Sequence, residues 1–85
     1  MDILDQLQLI DGYFEDDSFY MRSIAGFSLE GRYKAAGLRY LAVLIDENEP
    51  FSFTIGSNTM IHVPVELNEK LKQELNMIAD TLDTM

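Results

Sequence analysis

The chain holds no cysteine and no tryptophan, one histidine, two prolines and only six basic residues among 85. Without cysteine there is no disulfide framework, no thiolate zinc site and no thiol nucleophile. A lone histidine, His62, leaves a zinc site short of ligands, because such sites draw on several nitrogen or sulfur groups. Six Lys and Arg against fifteen Asp and Glu give a formal net charge of −9. That excludes non-specific phosphate binding by the chain as a whole, which is driven by basic side chains releasing counterions. No apolar run approaches the roughly 18 residues of a membrane span. The opening Met1-Asp2-Ile3-Leu4-Asp5 is acidic where a secretory signal is basic. The expectation is a cytoplasmic protein that needs no cofactor and no metal and touches neither membrane nor nucleic acid directly.

What is present is enough apolar material to fold. Hydrophobic residues make up 47% of the sequence, above what disordered chains reach. The length suits one domain spanning residues 1–85. Folding at this size hides roughly 60–68% of the unfolded chain's surface, so the core is thin.

Ile3, Leu4, Leu7 and Ile10 carry the one-sided spacing of a short amphipathic helix over residues 2–11, with Gly12 as its stop. Glu15-Asp16-Asp17-Ser18 reads as a turn, its short polar side chains bonding their own backbone. Phe19 to Ala25 alternates loosely and is rich in aromatic residues, which predicts a strand. Ser28–Ala36, set among Gly26, Gly31 and Gly37, fits either a helical turn capped by Ser28 or a second strand. In Leu38–Asp46 seven of nine residues are apolar, which predicts a strand covered on both faces in the middle of a sheet. Glu47-Asn48-Glu49-Pro50 turns. Phe51, Phe53 and Ile55 alternate with Ser52 and Thr54 as a half-buried strand. Gly56-Ser57-Asn58 turns again, Met60–Val63 returns as a strand, and Pro64 ends it. From Val65 to Asp83, Leu67, Leu71, Leu75, Ile78 and Leu82 share one face of a long amphipathic helix, with Glu69, Lys70, Lys72 and Glu74 expected elsewhere. The predicted class is α+β: a two-layer sandwich with a short N-terminal helix, an antiparallel meander of three to four strands, and a longer C-terminal helix packed on the sheet.

The chemistry-bearing residues are sparse. No Gly-x-Ser-x-Gly elbow, phosphate-cradling glycine loop or calcium-loop pattern occurs. His62 sits between Ile61 and Val63 on a predicted strand, more like a strand histidine than a general base. Arg32, Lys34 and Arg39 fall within eight positions, interleaved with Tyr33 and Tyr40. That mix is able to stack bases and hold phosphates. Its plainer reading is neutralisation of nearby acids. The acids matter more as a group. Glu15, Asp16 and Asp17 come from one turn and Asp46, Glu47 and Glu49 from another. Gathered at one end of a sheet, they would form a negative patch that steers association with a basic partner.

These features point to a non-enzymatic, acidic protein-interaction module. It would act as an inhibitor or adaptor on a basic surface, such as that of a nucleic-acid-handling protein, in the manner of a phage or mobile-element inhibitor. The alternative is a homo-oligomer subunit that builds a small ligand-binding or catalytic site at its interface, with Tyr33, Arg39, Tyr40 and His62 as the residues to suspect. A homodimer through the last helix has its own signal, since Leu71, Leu75, Ile78, Leu82 and Met85 are spaced 4, 3, 4 and 3.

Overall fold

Two tight turns organise the first half of the chain. The structure, a computed structural model, describes residues 3–45, 49–55 and 59–85. Strands Ile10–Glu15 (β1), Ser18–Ile24 (β2) and Phe27–Tyr33 (β3) pair antiparallel in the order β1-β2-β3. Two residues make each connection. Ala25 (φ 52°) and Gly26 (φ 86°) are both left-handed, as a two-residue type I′ loop requires if the strands are to keep their right-handed twist. Asp16 (φ 51°) takes the same region in the other loop, and Asp is one of the few residues that tolerate it. The register slips between Asp11 and Gly12 and again between Met21 and Ser23. At Gly12 a Cβ would lie 2.3 Å from the Tyr20 carbonyl oxygen and 2.7 Å from the Phe19 ring, so only glycine fits there.

Alternation along the strands sends Ile10, Phe19, Met21 and Ile24 into the core and leaves Asp11, Tyr13, Arg22, Glu30 and Arg32 in solvent. On that wet face Tyr13 stacks on Tyr20, with ring centroids 5.4 Å apart. The Arg22 guanidinium lies 5.3 Å from the Tyr13 ring centroid.

Two sequence expectations fail. The helix expected over residues 2–11 is absent from its described part, 3–11: Ile3–Gln6 make a 3₁₀ turn and β1 starts at Ile10. Leu38–Asp46 is not a central strand. Ala35–Leu44 form an α-helix (α1), and Asp46 lies outside the described residues. A run that is apolar on every side has no periodicity to separate strand from helix. Here Ala35, Ala36, Leu38, Arg39, Leu41, Ala42 and Leu44, all strong helix formers, decide it. The open choice at Ser28–Ala36 resolves as strand up to Tyr33, followed by the start of α1.

Phe51–Ile55 (β4) and Thr59–Val63 (β5) pair antiparallel as a separate two-stranded sheet, with Phe51 opposite Val63 and Ser52 opposite His62. Phe51 and Val63 are buried, while Ser52, Met60 and His62 are exposed. The predicted turn at Gly56-Ser57-Asn58 lies outside the described residues. After a 3₁₀ turn at Val65–Leu67 comes the long helix Asn68–Asp83 (α2). Leu71, Leu75 and Ile78 are fully buried and Leu82 is 8% exposed. Each such side chain contributes about 1.5–3 kcal/mol by leaving water, so packing rather than propensity holds the helix. α2 packs on the three-stranded sheet and α1 packs on α2. The core joins the sheet's inner face, Leu38 and Ala42 from α1 with Ile45 just after it, the buried face of α2, and the base of the β4–β5 hairpin.

Candidate functional site

The first acidic turn is tied to the chain's own bases. Glu15 Oε2 accepts from Arg32 Nη2 at 3.1 Å, and Asp17 Oδ2 is 3.4 Å from Lys34 Nζ. Arg39 donates through Nη2 to Asp80 Oδ1 at 3.0 Å and also to Asp83 Oδ2. The basic residues Arg32, Lys34 and Arg39, close together in sequence, are thus spread over four ion pairs, as the plainer sequence reading has it. All of them are exposed enough to contribute little each. Asp16 and Glu49 are exposed and have no ion-pair partner among the described residues. Asp46 and Glu47 lie outside the described residues.

Asp17 and Glu49, one from each acidic segment, stand towards opposite ends of α1. Lys34, paired with Asp17, is the residue immediately before the helix. Glu49 shares a shallow depression of about 350 Å³ with Leu44, Pro50, Phe51 and Ser52 at the helix's other end. Ten helical residues separate the two, about 15 Å at 1.5 Å per residue.

Between them runs a stripe that the sequence reading missed. Tyr40 is 63%, Val43 78% and Leu44 49% exposed. With exposed Ala36 they follow i, i+4, i+7 and i+8, one face of a helix. The opposite face of α1 is spent on the core through Leu38 and Ala42, and Ile45 just past its end is buried with them. A helix apolar all round is ordinarily covered all round, and α1 is covered on one side. Helical spacing from Ala36 to Leu44 was the signal available; reading the segment as a strand buried on both faces concealed it.

The remaining candidates do not assemble. Tyr33 packs beside Gly31 and Gly37, Arg39 holds α2, Tyr40 faces solvent and His62 lies on the β4–β5 hairpin. Among the described residues no hydrogen bond, ion pair or ring contact joins these four. His62 Nδ1 and Ser52 Oγ are 2.6 Å apart, a cross-strand pair in solvent. Among the described residues no carboxylate hydrogen-bonds that ring, and no cluster of three His, Asp or Glu is arranged to hold a metal ion. The helical seam Leu71, Leu75, Ile78 and Leu82 is buried inside the chain and used in folding, with Met85 at its end 70% exposed.

One polar group in the core has a structural task. Glu74 is fully buried on α2. Its Oε1 accepts the backbone N–H groups of Gln8, Leu9 and Ile10 at 3.1, 3.0 and 3.2 Å. Position 74 follows Leu71 by three and precedes Ile78 by four, which puts an acid on the apolar face. The sequence reading set Glu74 away from that face, and the structure corrects it.

Among the described residues no helix is long and apolar enough to cross a membrane. The chain matches no protein-family model, no curated protein and no solved structure.

Proposed function

We propose that this chain is a non-enzymatic interaction module, an inhibitor or adaptor that occupies a basic surface of a partner protein. The observation that supports this reading is the apolar stripe Tyr40, Val43 and Leu44 on α1, with acidic residues at either end of the helix. Interfaces commonly combine an apolar centre with a polar rim. Aromatic residues such as Tyr40 are enriched among the anchors that dominate binding. Acids at the rim add little affinity in place but raise the rate of encounter with a positively charged surface. Glu15, Asp16, Asp17, Asp46, Glu47 and Glu49 are the residues assigned to that rim.

The test is capture of the partner from native lysate at about 0.05 and 0.5 M salt, between which the Debye length shortens severalfold. Wild type is compared with the double variant Tyr40→Ser, Val43→Ser. Both substituted side chains are exposed, so the fold is retained. A basic protein held at low salt, released at high salt and lost by the variant is the expected result. Identical capture by wild type and variant at both salts would overturn the reading.

A further inference from the structure

We propose that two copies of this chain associate through β3, pairing edge to edge as antiparallel strands in the register centred on Gly31. β3 is the outer strand of the three-stranded sheet, and among the described residues no strand pairs with its far side. Every second residue of an outer strand turns its N–H and C=O away from the sheet, and those groups template another strand. The pairing uses the backbone groups and side chains of β3 and does not depend on how the α1 stripe is used.

The sequence of β3, Phe-Ser-Leu-Glu-Gly-Arg-Tyr, selects both the partner and the register. Glu30 and Arg32 are two apart, so both stand on the solvent face of the sheet, where they are exposed. A two-fold axis at Gly31 sets Glu30 opposite Arg32 of the second copy and Arg32 opposite its Glu30. Two cross-strand pairs of opposite charge form at once. The same axis sets Leu29 opposite Tyr33 on the inner face, again twice. Registers centred on Glu30 or on Arg32 place like charges directly opposite, which destabilises a strand pair. Gly31, at the centre, brings no side chain of its own to the closest approach.

Charges on an edge strand ordinarily repel a second strand, and a single sign does so in every register. The acid–glycine–base order of β3 is instead self-complementary in one. Glu30 has no ion-pair partner among the described residues. Arg32 bonds Glu15 through Nη2 with its side chain 61% exposed. The guanidinium offers five donors, so Arg32 can turn to a second carboxylate while giving up little, because an exposed pair is weak.

The test uses two single variants and their mixture in sedimentation equilibrium across the micromolar range. Wild type is expected to shift from 9.7 kDa toward twice that mass. Glu30→Lys sets Lys opposite Arg, and Arg32→Glu sets Glu opposite Glu. Each is expected to raise the dissociation constant about tenfold or more. Mixed in equal amounts, the two variants regain opposite charges at both positions, and a heterodimer of wild-type affinity is expected. Recovery in the mixture also shows that each variant is folded, which circular dichroism checks separately. A wild type that stays monomeric, single variants that associate as wild type does, or a mixture that fails to recover would each overturn the proposal.

Discussion

Glu74 fixes the course of residues 8–10, where the chain enters β1. In an α-helix the N–H groups of residues 8, 9 and 10 would donate to carbonyls four residues earlier; here all three donate to Oε1 of Glu74. A helix of ten residues is marginal by itself, so three bonds to a buried carboxylate outweigh it. Glu74→Ala leaves those donors without an acceptor and a cavity behind them. The expected cost is roughly 3 kcal/mol, because the Ile10 donor is buried, at about 1–3 kcal/mol when unsatisfied, while those of Gln8 and Leu9 are only partly so. That is a large share of the roughly 5–15 kcal/mol that holds a domain of this kind folded. Urea unfolding gives the total, and hydrogen exchange locates it. Amides 8–10 should lose protection beyond the global change, whereas a loss below about 1 kcal/mol would mean that they find other acceptors.

At the scale of elements, legibility followed periodicity. α2 was read to its end at Asp83, with its start set at Val65 where a 3₁₀ turn precedes it, because polar and apolar residues alternate at helical spacing around Leu71, Leu75, Ile78 and Leu82. β4 and β5 were read from Phe51, Ser52 and the alternation that follows, and β2 from its aromatic run. α1 was misread because Tyr40, Val43 and Ile45 suggested a strand while apolar neighbours on every side erased the period. The N-terminal segment was misread for another reason: its N–H groups are satisfied by a residue 64 to 66 positions away, which no local pattern reveals. The acidic turn at 15–17 was legible as a turn. Its ion pairs with Arg32 and Lys34 depend on β3 lying beyond β2, a matter of topology. The apolar stripe of α1 was hidden by the misreading of α1 itself.

The corrected helix carries its own test. Gly37 lies in the first half of α1, and a Cβ there would meet only the Tyr33 ring at 3.8 Å, an ordinary contact. Glycine costs a helix roughly 0.5–1 kcal/mol relative to alanine through the freedom it keeps when unfolded. Gly37→Ala should therefore raise stability by about that amount, read as a higher urea midpoint at unchanged slope. A central strand over Leu38–Asp46 would give no such gain.

The whole molecule carries fifteen acids against six bases. Among the described residues Arg32, Lys34 and Arg39 engage Glu15, Asp17, Asp80 and Asp83, which leaves most of the negative excess uncompensated. Two effects of salt then oppose each other. Screening weakens the ion pairs, which are exposed and contribute little. It also relieves repulsion among the remaining acids, which acts over the whole surface and destabilises the folded state. The second effect is the larger here, because the pairs are few and the excess is nine charges. Raising sodium chloride from about 0.01 to about 0.15 M shortens the Debye length from about 30 to about 8 Å. Unfolding free energy should rise by an amount on the order of 1 kcal/mol, the scale of surface electrostatic differences. A fall with salt would mean that the ion pairs, above all Arg39 between Asp80 and Asp83, bind α1 to α2 more strongly than exposed pairs do. Self-association would also stabilise the chain, but that contribution grows with protein concentration while self-repulsion within one chain does not. The same salt series at two protein concentrations therefore separates charge relief within the fold from pairing through β3.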